Sequence, residues 1–199
     1  MIQNNQMNGW IKSQTSDKYL RPIREQMIGM LSEQDRVIDL GCGTGDFLIR
    51  AHSKIKYGLG VDGSDLIIKH AQKSAKTLKV CNIEFKNLFV DHNFLPSNDF
   101  TVVTASLFFH VIPHEVSLQV LRSSAKYVDQ LILCGFVPPQ NVSQKLLMWF
   151  DQRFTSHYRQ YIEYCQNGYM EGLLKKCQLT IKSITDTFDP TIKIYTIKS

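Results

Sequence analysis

Two hydrophobic periods alternate along this chain. Residues 37–40, 57–62, 82–89, 100–105 and 131–136 form short apolar runs, rich in β-branched or aromatic side chains, and each predicts a strand. Between them the spacing turns helical. From Asp46 onward, Phe47, Leu48 and Ala51 point one way while Arg50, His52 and Lys54 point the other. A second helix runs from Ser64, its N-cap, to about Leu78, with Asp65 in the first turn. A third covers 115–127 through Val116, Leu118, Val120 and Leu121. Ahead of these, Pro22 suits the first turn of a helix that gathers Ile23, Met27, Met30 and Leu31 on one face. Residues 179–184 and 192–197 predict two more strands around a turn at Asp189-Pro190. Strands alternating with helices predict an α/β protein with a doubly wound, mostly parallel sheet.

Composition narrows the setting without changing that picture. At 199 residues, 43% hydrophobic and 21% charged, the chain suits one sizeable core, so a single domain over 1–199 is expected. A net charge of +5, spread along the chain, does not indicate a nucleic-acid surface. Five cysteines without a C-x-x-C pair predict reduced thiols in the cytoplasm rather than a disulfide framework. No Cys/His group has metal-ligand spacing, so no metal is expected. No signal-peptide pattern opens the chain, and no apolar run reaches membrane-spanning length, so no membrane partner is expected.

The chemistry concentrates in Val37-Ile38-Asp39-Leu40-Gly41-Cys42-Gly43-Thr44-Gly45-Asp46-Phe47, a strand, a glycine turn and a helix start. In open α/β sheets that arrangement forms a nucleotide-binding crevice. A phosphate-cradling P-loop needs Gly-Lys-Ser/Thr, and no lysine follows these glycines. A dinucleotide fingerprint needs a third glycine at position 46, where an aspartate stands that repels a pyrophosphate. The ligand that meets neither objection carries no phosphate. The run resembles motif I of the class I, Rossmann-like S-adenosylmethionine-dependent methyltransferases. Gly60-Val61-Asp62-Gly63-Ser64, at the end of the second predicted strand, resembles their motif II.

The resemblance implies a three-layer α/β/α fold with a seven-stranded sheet closed by an antiparallel C-terminal hairpin. It implies S-adenosyl-L-methionine as cofactor and S-adenosyl-L-homocysteine as product. Asp39, Gly41, Cys42, Gly43, Asp62 and Gly63 are its expected cofactor residues, with Asp62 accepting hydrogen bonds from the ribose hydroxyls. Asn87 and Leu88, or else Asp91, are expected at the adenine, and Ser106 at the end of the fourth strand. The family commonly has Phe-Asp at the start of that strand, where this chain has Phe100-Thr101. Residues 106–113 resemble the leucine, aromatic, histidine turn of its small-molecule members. No Asn/Asp-Pro-Pro-aromatic motif and no Pro-Cys pair stands there, which disfavours exocyclic-amine and cytosine-C5 methylation.

Residues 1–35 are expected to form an N-terminal cap and helix, in which Trp10 and Tyr19 either cover the cofactor or pack on the core. Residues 141–170, an aromatic insertion after the fifth strand, are expected to be helical and to roof the acceptor. Phe150, Phe154, His157, Tyr158, Tyr161 and Cys165 recur there at helical spacing. Phe109, Phe154, Tyr158 and Tyr161 join Trp10 and Tyr19 as candidate pocket residues. Methyl transfer from a sulfonium needs a general base only for acceptors that hold their proton at neutral pH. His110, His157 and His114 are the candidates in that order, and a structural, hydrogen-bonded role stands beside each. The expected activity is methylation of a small molecule. RNA or protein methylation, and an inactive cofactor-binding partner, are the alternatives.

Overall fold

The computed structural model describes residues 17–97, 99–153 and 155–198. Its seven strands form a mostly parallel sheet flanked by helices, and the chain divides into two compact units at Val90.

In the first unit a helix over 17–29, α1, precedes β1 (Arg36–Leu40). Then follow α2 (Asp46–Ala51), a 3-10 turn (His52–Lys54), β2 (Tyr57–Asp62), α3 (Asp65–Thr77) and β3 (Ile83–Asn87). The strands lie in the order β3-β2-β1, all parallel, with Asp39 opposite Gly60 and Asp62 opposite Asn87. Parallel strands are covered on both faces, and Val37, Ile38 and Leu40 are accordingly all buried. The helix expected from Pro22 is already formed at residue 17, which puts Pro22 inside it rather than in its first turn. That early start accompanies Asp17, which is engaged by both Arg24 and Thr44. Leu20, Ile23, Met27 and Ile28 form its buried apolar face; just past its end Met30 is half-buried and Leu31 buried. Ser64 does occupy the N-cap of α3, but its side chain makes no capping bond.

The second unit contains β4 (Val102–Ser106), α4 (His114–Tyr127) and β5 (Gln130–Phe136). Three helices follow, α5 (Val142–Arg153), α6 (Tyr158–Gln166) and α7 (Tyr169–Lys176), then β6 (Ile181–Asp186) and β7 (Ile192–Lys198). Strand order here is β4-β5-β7-β6, with β4 parallel to β5 and the last two pairings antiparallel. The expected hairpin forms because Asp189 accepts the Thr191 N–H and hydroxyl at 2.8 and 2.7 Å, while the Thr187 hydroxyl reaches the Ile192 carbonyl at 2.9 Å.

The aromatic insertion is not one helix. It breaks after Arg153, where the Thr155 N–H and hydroxyl both turn back to the Gln152 carbonyl at 3.0 and 2.7 Å. Such local side-chain bonds compete with helix propagation, so the periodicity that runs through the Thr155-Ser156 pair did not signal the interruption.

Candidate functional site

The glycine turn of the first unit is built by three residues with positive φ: Gly41 at 66°, Gly43 at 54° and Gly45 at 79°. Their roles differ. A Cβ on Gly45 would stand 2.4 Å from the Phe85 ring and 3.1 Å from Ala71 Cβ, so this glycine lets α2 and α3 close on the sheet. A Cβ on Gly43 would meet nothing within 4 Å, which leaves the backbone there open to a ligand. Cys42 is buried between them, its N–H donating to the Val61 carbonyl at 3.0 Å. Burial, reinforced by Asp39 and Asp62, pushes its thiol far above the ordinary range, so it is no nucleophile. Asp39 itself is buried in β1.

Asp62, at the end of β2, is held from two sides. The Gly43 N–H donates to one carboxylate oxygen at 3.2 Å and the Ser64 N–H to the other at 2.9 Å. Asn87 Nδ2 and the Leu88 N–H both donate to the Asp62 backbone carbonyl at 3.0 Å. Asp62, Gly63, Asn87 and Leu88 are thus brought together with Gly43. Asp91 belongs to the second unit, where its carboxylate accepts the Asn93 N–H at 2.8 Å in a tight turn.

A network that the sequence did not suggest braces the same turn. Thr44 is buried and donates to Asp17 of α1. Arg24, also in α1 and buried, bridges Asp17 at 2.7 Å and Asp46 at 3.2 Å, while Arg50 bonds Asp46 at 3.0 Å and Glu25 at 3.1 Å. Asp46 takes the start of α2, the place a pyrophosphate would need, and both nearby arginines are already committed to carboxylates. The residues around the turn therefore fit an adenosine ligand without phosphate: a carboxylate oriented by two backbone N–H groups and an open glycine backbone. The sequence signal for the network was faint: Asp17 and Arg24 share one face of α1, but Thr44 and Asp46 lie more than twenty residues further along the chain than the partners they bond.

In the second unit β4 ends at Ser106, and the ladder continues through the Leu107 N–H to the Cys134 carbonyl at 2.9 Å. Leu107 has φ 53°, a conformation uncommon for a residue with a side chain. The turn buries Phe108, Phe109 and His110. The His110 ring meets Phe136, His157, Tyr161 and Tyr164 edge to face, with centroids 4.9, 5.6, 6.2 and 6.3 Å away. Two of the three histidine candidates therefore share one aromatic cluster. Burial holds the Tyr161 and Tyr164 phenols well above their ordinary value, so both stay neutral, and the Tyr164 hydroxyl donates to the Phe136 carbonyl at 3.0 Å. Tyr158 lies under the Arg153 guanidinium at 5.2 Å. His114 is elsewhere, 3.2 Å from Lys176 Nζ at the start of α4. Tyr19, about half exposed, is on α1 of the first unit. Trp10 and Phe154 lie outside the described residues. No helix among the described residues is long and apolar enough to cross a membrane.

Comparison with known proteins bears on the fold. Residues 37–130 match the model of a family described as a methyltransferase domain. A 65-residue stretch is 34% identical to the 23S rRNA (uracil(1939)-C(5))-methyltransferase RlmD of Haemophilus influenzae; it is 33% of this chain and only 15% of that relative. Among solved structures, a SAM dependent methyltransferase from Aquifex aeolicus superposes with a TM-score of 0.67 at 14% identity, covering 94% of this chain and 97% of its own. Magnesium protoporphyrin IX methyltransferase from Synechocystis, solved with bound SAH, gives 0.60 at 16% identity over 97% and 84% of the two chains. At such identities the likeness is one of fold.

Proposed function

We propose that this chain, whose residues 37–130 match a methyltransferase domain, is a class I S-adenosylmethionine-dependent methyltransferase that methylates a small-molecule acceptor in the cytoplasm. When bound, S-adenosylmethionine supplies a methyl group already activated on a positively charged sulfur. The protein's part is to bind, align and exclude water. Asp62 receives the ribose hydroxyls on a carboxylate that two backbone N–H groups already orient. The open backbone at Gly43 admits the amino-acid tail, with Gly41, Cys42 and Asp39 shaping the turn, and Asn87 and Leu88 meet the base. His110 is assigned to receive a proton from an acceptor that needs to lose one, with His157 beside it and Tyr161 donating as a neutral phenol.

The observation that carries the donor side is the Asp62 carboxylate held against an unobstructed glycine turn. The acceptor side rests on the buried, aromatic His110 cluster. The five cysteines include no C-x-x-C pair, which supports the cytoplasmic assignment. A second reading, methylation of RNA, draws on the rRNA-modifying relative alone.

Incubation with a methyl-labelled donor, once with a metabolite extract and once with total RNA, separates the two. Label in a low-molecular-weight product supports the small-molecule reading. Label in RNA alone, weakening steeply as salt rises, replaces it with the second.

A further inference from the structure

α5 sits in its unit the wrong way round for a helix in water. Val142, Leu146, Trp149 and Phe150 recur at three- and four-residue steps on one face, with Leu147 at its edge. All five are exposed, from 42% for Trp149 to 81% for Val142. The opposite face, Gln144, Met148 and Gln152, is the one turned inward: Met148 and Gln152 are buried and Gln144 half-buried. A surface helix ordinarily does the reverse, since burying the apolar stripe is what holds it to the fold. The helix is nonetheless well started. Asn141 Oδ1 accepts the Gln144 N–H at 2.9 Å and Gln144 Oε1 accepts the Gln140 N–H at 2.7 Å, a reciprocal cap. Five large apolar side chains on one short helix form a patch of the kind that marks an interaction surface.

The charge beside the patch and its size select what covers it. Residues 141–160 carry Lys145, Arg153 and Arg159 against a single acid, Asp151, in a chain of net charge +5. The three cations are exposed, and the Arg153 guanidinium stands over the Tyr158 ring at 5.2 Å. A second copy would bring the same cations to the same contact. It would also find too little surface. α5 has 12 residues, a length of about 18 Å, and two such helices side by side cover less than the roughly 800 Å² per partner of a stable interface. A bilayer sets no such threshold. It takes up Leu, Phe and Trp side chains at the boundary between headgroups and acyl chains, and its anionic lipids attract the flanking cations. We propose that α5 lies in the surface of a bilayer rich in anionic lipid, with the Val142, Leu146, Trp149 and Phe150 face toward the acyl chains and Lys145, Arg153 and Arg159 at the phosphates. The lack of a membrane-spanning run does not bear on this, because a helix lying in the interface needs no spanning length. Docking of this kind is independent of which acceptor the chain methylates.

Flotation of the full chain with vesicles tests it, one set of phosphatidylcholine alone and one of equal parts phosphatidylcholine and phosphatidylglycerol. The wild-type chain floats with the mixed vesicles and binds the neutral ones about tenfold more weakly. Leu146→Glu, which puts an acid into the apolar face, loses at least about tenfold in binding to the mixed vesicles. It keeps the wild-type thermal midpoint, because the side chain it replaces is exposed. Tryptophan emission of the wild-type chain shifts to the blue on the mixed vesicles, and Trp149→Phe, which leaves Trp10 as the other indole, removes most of that shift. No flotation of wild type, equal binding to both vesicle sets, undiminished binding by Leu146→Glu, or a blue shift retained in Trp149→Phe overturns the proposal. A wild-type chain that stays off vesicles and sediments as a dimer, with Leu146→Glu monomeric, overturns it in favour of a second copy.

Discussion

Gly43 and Gly45 are two residues apart in one turn, yet replacing each with alanine has a different consequence. Both have positive φ, 54° and 79°, so either alanine carries a backbone cost of about 1–2 kcal/mol. For Gly45→Ala the new methyl also lands 2.4 Å from the Phe85 ring, with Ala71 Cβ at 3.1 Å on the other side. Phe85 is 4% exposed and Ala71 fully buried, so neither has room to retreat. Overpacking of that kind adds about 1–3 kcal/mol. Gly45→Ala should therefore lose about 2–5 kcal/mol of stability in all, read from urea unfolding followed by circular dichroism. Gly43→Ala should lose only the backbone part, because its Cβ enters open space. That space is the one assigned to the donor, so Gly43→Ala should remain folded and bind S-adenosylhomocysteine at least about tenfold more weakly, the equivalent of roughly 1.4 kcal/mol. Equal stability losses in the two variants, or wild-type binding by a folded Gly43→Ala, would refute this division of labour.

Three further outcomes follow from the geometry. Arg24→Met strands the Asp17 carboxylate and leaves Asp46 to Arg50 alone, and should cost about 3 kcal/mol in urea unfolding; a loss below about 1 kcal/mol would show that the network carries little. Burial, and after it the Lys176 ammonium, hold His114 below its ordinary value of 6.5 against the opposite pull of Glu115 and Glu163. The unfolded chain then takes up the proton first as pH falls, so this contribution is complete above about pH 6.5 and lost below it. His114→Gln should flatten the stability difference between about pH 5 and about pH 7.5, and an unchanged slope would remove His114 as its source. His110→Gln should retain S-adenosylhomocysteine binding while turnover falls by about 10²–10⁴-fold if the acceptor needs a base; full turnover would leave His110 a structural residue.

The donor side was largely legible in the sequence because local rules set it. A β-branched run, three glycines that need positive φ and an acid at the end of the next strand act over a few residues each. The strand and helix boundaries around them held for the same reason. Features set by tertiary contact did not show. Asp17, Arg24, Thr44 and Asp46 converge only once α1 lies beside the glycine turn, so α1 was expected to start too late and its ion pairs were not anticipated. Phe89 was read as the end of a strand, because nothing in a two-residue period distinguishes an aromatic laid on a neighbouring glycine, here Gly63, from one facing the core. In the insertion the helical period ran on through 154–157, while two hydroxyl side chains next to each other were the only sign of the break between α5 and α6.

A crystal structure with bound S-adenosylhomocysteine tests the central claim most directly. Both ribose hydroxyls are predicted within hydrogen-bonding distance of the Asp62 carboxylate, with the homocysteine running along the backbone of Gly41 and Gly43. A ligand seated away from Asp62, or a dinucleotide whose diphosphate occupies the glycine turn in its stead, would contradict the account.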